Sequence, residues 1–176
     1  MLDNQTAVFL GPEAERVRCR LTVSDSSQDG WCMFLDGEGR LAVVLVSSLV
    51  LGPPPTERRF RMQLTSEQAH AMFTRCVEQD LFAVHASHLG MRPNKPGEPT
   101  VALTLRNPAG QRLDFRKPSG VAIPALDAVV TAAREQVRVP QRQEPEYEGP
   151  YRAFWTPWNA KLVCRLTLGR TPHGAP

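Results

Sequence analysis

The sequence predicts an α+β domain: an antiparallel sheet of five or six strands with two helices packed on one face, followed by a proline- and aromatic-rich C-terminal extension. Several segments alternate apolar and polar residues, and turn residues separate them, which is typical of strands. Two longer segments repeat apolar residues at helical spacing, and each follows a group of strands. We assign the domain to residues 1–138 and the extension to residues 139–176.

Four strand-like segments precede the first helical segment. Residues 17–23 alternate regularly, which predicts a half-buried strand. Residues 31–35 and 40–46 are joined by Asp36-Gly37, a pair that favours a hairpin turn between apolar runs. The uninterrupted apolar run of the third segment predicts a central strand covered on both faces. Residues 59–64 alternate again and complete the group.

Both predicted helices have a start signal and an apolar face. Thr65 with Gln68 three positions later forms a capping-box pattern. The apolar face of this helix is expected to contain Ala69, Met72, Phe73, Cys76 and Val77. Between the helices, residues 83–99 resemble a loop, and residues 100–116 resemble a hairpin that turns at Asn107–Gly110. The second helix begins at Pro124, and its buried stripe contains Leu126, Val129, Val130, Ala133 and Val137.

Charge and cysteine usage narrow the class of protein. The formal net charge of the 176 residues is +3, and from Arg138 onward six basic residues face three acidic ones, so the domain itself is neutral. Such a balance lacks the concentrated basic face of nucleic-acid-binding domains. The N-terminus has no basic leader, and the longest apolar run, Leu41–Leu51, is too short to span a bilayer. Four dispersed cysteines without a C-x-x-C pair indicate reduced thiols. We expect a soluble cytoplasmic protein.

Two weak metal-site candidates are present. Residues 25–36 place oxygen ligands, including Asp25 and Asp29, at the spacing of a calcium loop, but the flanking segments are strands and not helices. His85 and His88 have a spacing that can hold zinc, but no second tight ligand pair accompanies them. Polar turns and solvent-facing loops explain both motifs better than a metal ion does. We therefore predict no cofactor.

Catalytic and nucleic-acid motifs offer little support for other functions. The sequence contains no nucleophile elbow, P-loop, dinucleotide fingerprint or H-E-x-x-H motif. An active site assembled from distant residues leaves no local pattern, so a cryptic or metal-dependent enzyme remains an alternative. Weak nucleic-acid binding is a further alternative. Its candidate residues are Arg58, Arg59, Arg61, Arg116 and Lys117.

The extension contains the most unusual pattern of the chain. After a polar, proline-rich linker, four aromatic residues cluster, although extensions that lack structure are generally poor in aromatics. They are Tyr151, Phe154, Trp155 and Trp158. Residues 161–168 then alternate like a strand, with Leu162, Cys164, Leu166 and Leu168 on one side. Two interpretations stay open: the extension adds a strand to its own sheet, or it docks on another chain.

These observations favour a small accessory or adaptor protein without catalytic activity. Aromatic side chains dominate binding energy at protein interfaces, and a strand can add to an exposed sheet edge. The predicted partner is another protein chain, within a larger assembly or alone, and not a membrane or a nucleic acid. The predicted contact residues are the eight apolar residues named in the extension, from Tyr151 to Leu168.

Overall fold

The structure is a computed structural model, and it describes residues 19–26, 30–47, 55–87 and 98–151. Within these ranges the chain forms seven strands. They are β1 (Arg20–Asp25), β2 (Trp31–Asp36), β3 (Arg40–Val46), β4 (Thr56–Gln63), β5 (Thr100–Arg106), β6 (Arg112–Pro118) and β7 (Tyr147–Pro150). The helices are α1 (Ser66–Glu78), α2 (Leu81–Ser87) and α3 (Pro124–Arg138), and a short 3-10 helix covers Pro140–Arg142.

All seven strands belong to one antiparallel sheet, so the predicted α+β class is confirmed. The strand order is β6-β5-β1-β2-β3-β4-β7. Strands β1 to β4 follow one another as neighbours, β5 returns to pair with β1, and β7 pairs with β4 at the opposite edge. The sheet has one strand more than the upper end of the predicted range, and the domain has a third helix.

The β2–β3 turn confirms the hairpin predicted at Asp36-Gly37. The Asp36 carboxylate is buried, and its Oδ1 accepts hydrogen bonds from the backbone N–H groups of Glu38 and Arg40, each at 3.0 Å. The Arg40 guanidinium binds the other carboxylate oxygen at 2.6 Å. Gly39 has a φ of +86°, and a β-carbon there would lie 2.7 Å from the Leu64 carbonyl oxygen. A turn with this left-handed, crowded position favours glycine.

Helix α1 begins as predicted but buries a narrower face. The Thr65 hydroxyl accepts from the Gln68 N–H, and the Gln68 side chain accepts from the Thr65 N–H, which confirms the capping box. The prediction for Val77 is wrong, because this side chain is 76% exposed. Successive helical residues are about 100° apart, so Val77 lies roughly 100° around the helix from the buried Cys76.

Helix α2 occupies part of the region that resembles a loop in the sequence. Asp80 has a φ of +44°, a left-handed conformation that cannot continue α1, and α2 begins at the next residue. Leu81 is fully buried in the main core. Seven residues are too short to give a clear helical period, so the sequence pattern does not predict this element.

The sheet has two apolar faces. The inner face packs against all three helices and forms the main core, with Leu103, Leu126 and Met33 among its most buried members. The opposite face bears a smaller group, which we call the outer-face cluster: Cys32, Phe34, Ala42, Val44 and Val46. Alternate residues of β3 enter each group, which confirms that this strand is covered on both faces.

Part of the predicted extension belongs to the sheet. Residues 139–150 contain the 3-10 helix and β7, so the boundary predicted at residue 138 precedes a strand of the same sheet. The further strand predicted at residues 161–168 lies outside the described residues. Among the described helices, none combines the length and hydropathy that crossing a membrane requires.

Candidate functional site

The edge formed by β4 and β7 fixes the point at which the aromatic segment begins. Tyr147 pairs with Arg59 and Gly149 pairs with Glu57 in the antiparallel register. The Tyr151 N–H donates to the Pro55 carbonyl oxygen at 2.9 Å, which continues this pairing by one residue. Tyr147, Gly149 and Tyr151 are alternate residues and therefore share one face. It is the outer face, because the Tyr151 ring packs against the outer-face cluster.

The Tyr147 ring lies across Gly149. A β-carbon on Gly149 would be 2.7 Å from the Tyr147 hydroxyl oxygen and 3.0 Å from the ring carbon that bears it. The hydroxyl donates to the Pro150 carbonyl oxygen at 3.1 Å. The Arg59 guanidinium lies over the ring, 5.2 Å from its centroid, within the range of a cation–π contact. Glycine at position 149 thus allows an aromatic ring to lie flat on the edge of the sheet.

Two arginine–glutamate pairs surround this ring. The Arg59 Nε donates to Glu57 Oε1 at 2.7 Å, and the Glu57 side chain is fully buried. Glu57 Oε2 is buried as well, and no hydrogen-bond donor reaches it from the described residues. Beside this pair, Arg61 forms an ion pair of 3.4 Å with Glu146, in which both side chains are about half exposed. The positive charges of the site are thus largely matched by carboxylates, which disfavours a free anion as its ligand.

A shallow cleft of about 150 Å³ opens between these side chains. Its lining consists of Ala42, Val43, Arg59, Phe60, Arg61, Glu146 and Tyr147. Sites for small-molecule ligands are commonly about 300–1,000 Å³, so this cleft is too small for a typical cofactor. Its size and its mixture of apolar, aromatic and paired charged groups suit a single side chain of a protein partner. We call the cleft together with Gly149 and Tyr151 the edge site.

The calcium and zinc candidates are not brought together in the described part of the chain. Asp25 is buried at the end of β1, and it binds the Arg134 guanidinium at 2.7 Å. His85 lies in α2 with its ring edge against Phe115, at 5.4 Å between centroids. Asp29 and His88 lie outside the described residues. Within the described ranges, no group of three or more His, Cys, Asp or Glu residues could hold a metal ion.

Strand alternation separates the five basic residues proposed for nucleic-acid binding. Arg59 and Arg61 lie on the outer face, whereas Arg58 lies on the other face of β4. Arg116 is exposed, but Lys117 is buried and its ammonium group contacts an Asp127 carboxylate oxygen at 2.7 Å. Lys117 Nζ also donates to the Val121 carbonyl oxygen. The five residues therefore do not form one basic surface.

A second basic area lies on the outer face of β5 and β6, and of its arginines the sequence motifs indicate Arg116 alone. Arg106 is paired directly with Arg112 in the strand register, and Arg116 follows on β6. Asp114 lies between Arg112 and Arg116, and its carboxylate accepts from Arg112 at 2.8 Å and from Thr104 at 2.8 Å. Partial burial raises the pKa of Asp114, but these hydrogen bonds and the two arginine charges outweigh it, so the pKa lies below its ordinary value. Alternation along both strands is the signal that could have revealed this area.

The remaining predicted contact residues, Phe154, Trp155, Trp158, Leu162, Cys164, Leu166 and Leu168, lie outside the described residues. Comparisons of the chain with protein-family models, with curated proteins and with solved structures find no match. The edge site and the sequence that follows it are therefore the features that bear on function.

Proposed function

We propose that this protein is a small accessory or adaptor protein, without catalytic activity, that binds a protein partner through Tyr151–Leu168 and the edge site. The observation that supports it is the anchoring of Tyr151. Its N–H is bonded to the Pro55 carbonyl oxygen, and its ring packs against the outer-face cluster. The aromatic segment therefore begins at a fixed position beside an edge strand and not at the end of a loose linker.

The residue types of the segment suit a protein interface. Tyrosine and tryptophan are enriched among the residues that contribute most to binding energy, because they combine a large apolar area with a polar group. The alternation of residues 161–168 suits a strand that adds to the sheet of another protein, since main-chain hydrogen bonds supply affinity and alternate side chains supply specificity. The segment offers both features within eighteen residues, Tyr151 to Leu168.

The edge site supplies a second, smaller contact. Its cleft accepts a single side chain, and its ion pairs would lie at the polar rim of an interface. Rim charges contribute to the rate and the register of association more than to its affinity. The thiols of Cys19, Cys32 and Cys76 are free, which fits a reducing compartment, and we propose a cytoplasmic location.

The test is affinity capture of the full-length chain from the cells that produce it, followed by cross-linking mass spectrometry. The wild-type chain is compared with a Trp155→Ser/Trp158→Ser variant. A Val77→Ser variant is the matched control, because this apolar side chain is exposed on α1 and belongs to no proposed contact. We expect a stoichiometric partner with wild type and control, cross-linked near residues 151–168, and loss of this partner with the double variant.

Two results would contradict the proposal. The wild-type chain could elute alone, at the size of a 19.6 kDa monomer, under conditions that preserve complexes. Alternatively, the same partner could be retained equally by the double variant, which would assign binding to another surface. A partner that proves to be RNA, removed by ribonuclease and by moderate salt, would favour the nucleic-acid alternative.

A further inference from the structure

The outer-face cluster is an apolar surface on the side of the sheet that the helices do not cover. Phe34 and Cys32 on β2 lie directly opposite Ala42 and Val44 on β3. Val46 continues the same face along β3, where it lies opposite Glu57 of β4. These side chains alternate with residues of the main core, so they point away from the three helices.

This cluster is buried, although the described elements pack on the other face. Phe34 and Val44 have no exposed surface, and Val46, the most exposed member, retains 5%. Among the described residues, the partly buried apolar side chain packed against the cluster is Tyr151. The polar residues around it, including Asp36 and Glu57, are also buried. The three described helices therefore do not account for the burial of this face.

We infer that residues 152–176 of this chain, continuing from Tyr151, form the cover. Continuity is the first argument, because Tyr151 already contacts the cluster and the chain proceeds from there. Composition is the second, since Phe154, Trp155 and Trp158 follow within seven residues and can supply the apolar area that such a face requires.

Distance is the third argument. From β7 to β2 the sheet spans three strand spacings, roughly 14 Å at about 4.8 Å each, and in the register Phe34 lies six positions along the strands from Tyr151, roughly 20 Å at about 3.3 Å each. The direct distance is therefore about 24 Å, and an extended chain, which advances about 3.3–3.6 Å per residue, covers about 23–25 Å in seven residues. Trp158 lies seven residues after Tyr151 and can therefore reach Phe34, while Trp155 can reach Val46 at the near end of the cluster.

The inference does not depend on the proposed function, because the segment can cover its own sheet whether or not a partner exists. Where both hold, the same aromatic residues serve two surfaces in turn. A partner would then have to displace the segment from the sheet, and its apparent affinity would be reduced by the fraction of chains in which the segment remains bound there.

Cys32 provides a direct probe of the cover, since it is a buried member of the cluster. Cys76 lies in the main core and serves as an internal reference. The full-length chain is treated with a small alkylating reagent, and the label at each cysteine is followed by peptide mass spectrometry. The test variant is Trp155→Ser/Trp158→Ser, and a matched control changes two apolar residues of the N-terminal segment, Phe9→Ser/Leu10→Ser.

We expect labelling of Cys32 to become at least about tenfold faster in the tryptophan variant, because its protection then depends on local opening of a weakened cover. Labelling of Cys76 should stay unchanged in both variants, and Cys32 should stay protected in the N-terminal control. Unchanged protection of Cys32 in the tryptophan variant overturns the inference. Exposure of Cys32 only in the N-terminal variant also overturns it and assigns the cover to residues 1–18.

A second measurement keeps the test decisive if the tryptophan variant does not fold. In a Trp31→Phe chain the remaining indoles are Trp155 and Trp158, so fluorescence reports on the segment alone. Their emission should be blue-shifted, and acrylamide should quench it several-fold less efficiently than in the urea-unfolded chain. Quenching as efficient as in the unfolded chain overturns the inference, since the indoles would then be in water.

Discussion

Replacing Gly149 by alanine tests whether the Tyr147 ring is seated on the edge of the sheet. The new methyl group would lie 2.7 Å from the Tyr147 hydroxyl oxygen, so the ring has to swing away. The swing breaks the hydrogen bond to the Pro150 carbonyl oxygen, worth about 0.5–1.5 kcal/mol. It also breaks the contact with the Arg59 guanidinium, worth about 0.5–1 kcal/mol at an exposed site.

Alanine offsets part of this loss, because it is favoured over glycine in a strand by about 0.5–1 kcal/mol. The net expectation is a decrease of about 1 kcal/mol in the free energy of unfolding, measured by urea denaturation with an unchanged m value. Gly120→Ala is the matched control. A β-carbon there meets no atom within 4 Å and φ is not positive, so alanine should stabilise the protein by about 0.4–1 kcal/mol.

A double-mutant cycle makes this test specific to the ring. Tyr147→Phe should cost about 0.5–1.5 kcal/mol in the wild-type chain, because it removes the hydroxyl donor. In the Gly149→Ala background the same change should cost almost nothing, since the hydrogen bond is already lost. Equal costs in the two backgrounds, or a Gly149→Ala variant as stable as Gly120→Ala, would refute the geometry described for the edge site.

Three further predictions concern the fold. Gly39→Ala should lower the free energy of unfolding by at least about 2 kcal/mol, and Gly110→Ala by about 1 kcal/mol. Both glycines have a positive φ, but only at Gly39 would the new methyl group meet a backbone oxygen. Equal losses in urea denaturation would contradict this. Burial raises the pKa of the Cys76 thiol from 9.0 to about 12, so its contribution to stability is complete below pH 9 and is lost as pH rises toward 12. Urea denaturation against pH should show a larger loss in the wild type than in Cys76→Ala, in which Cys32 and Cys19 still contribute because burial raises their pKa values too; parallel curves would contradict this. Asp127→Asn should lower the free energy of unfolding by about 1–3 kcal/mol, because the buried Lys117 ammonium loses its carboxylate partner. Lys117→Met should lower it less, because no buried charge is left without a partner. Thermal or urea unfolding that gives the reverse order would count against this ion pair.

The features predicted correctly depend on residues close together in the chain. The turn at Asp36-Gly37 and the capping box of Thr65 with Gln68 are local patterns whose hydrogen bonds join residues at most four apart. Pro124 begins α3 for the same kind of reason, because its fixed φ suits the first helical position. The interacting residues in such patterns are close neighbours in the chain, so the sequence is sufficient to predict them.

The features that were missed depend on distant partners. Strand β7 contains proline and glycine and has only four residues, and it forms because β4 offers an unpaired edge. The contact of the Tyr147 ring with the guanidinium group depends on Arg59, which is far away in the sequence. The alternation of β4 in the sequence already implies that Arg58 lies on the opposite face from Arg59 and Arg61. Which of these faces is the outer one, however, depends on where the helices pack.

By itself, the sequence determined that this protein consists of strands and helices, because the apolar periodicity and the capping residues are local patterns along the chain. Only the tertiary structure decided that β2 is buried on both sides, as was predicted for β3 alone, and that the chain passes from β7 to Tyr151 beside the outer-face cluster. The physical reason is that a strand does not specify which strand pairs with it. Burial of a face is a property of the elements that come together, and it arises only when the sheet is assembled.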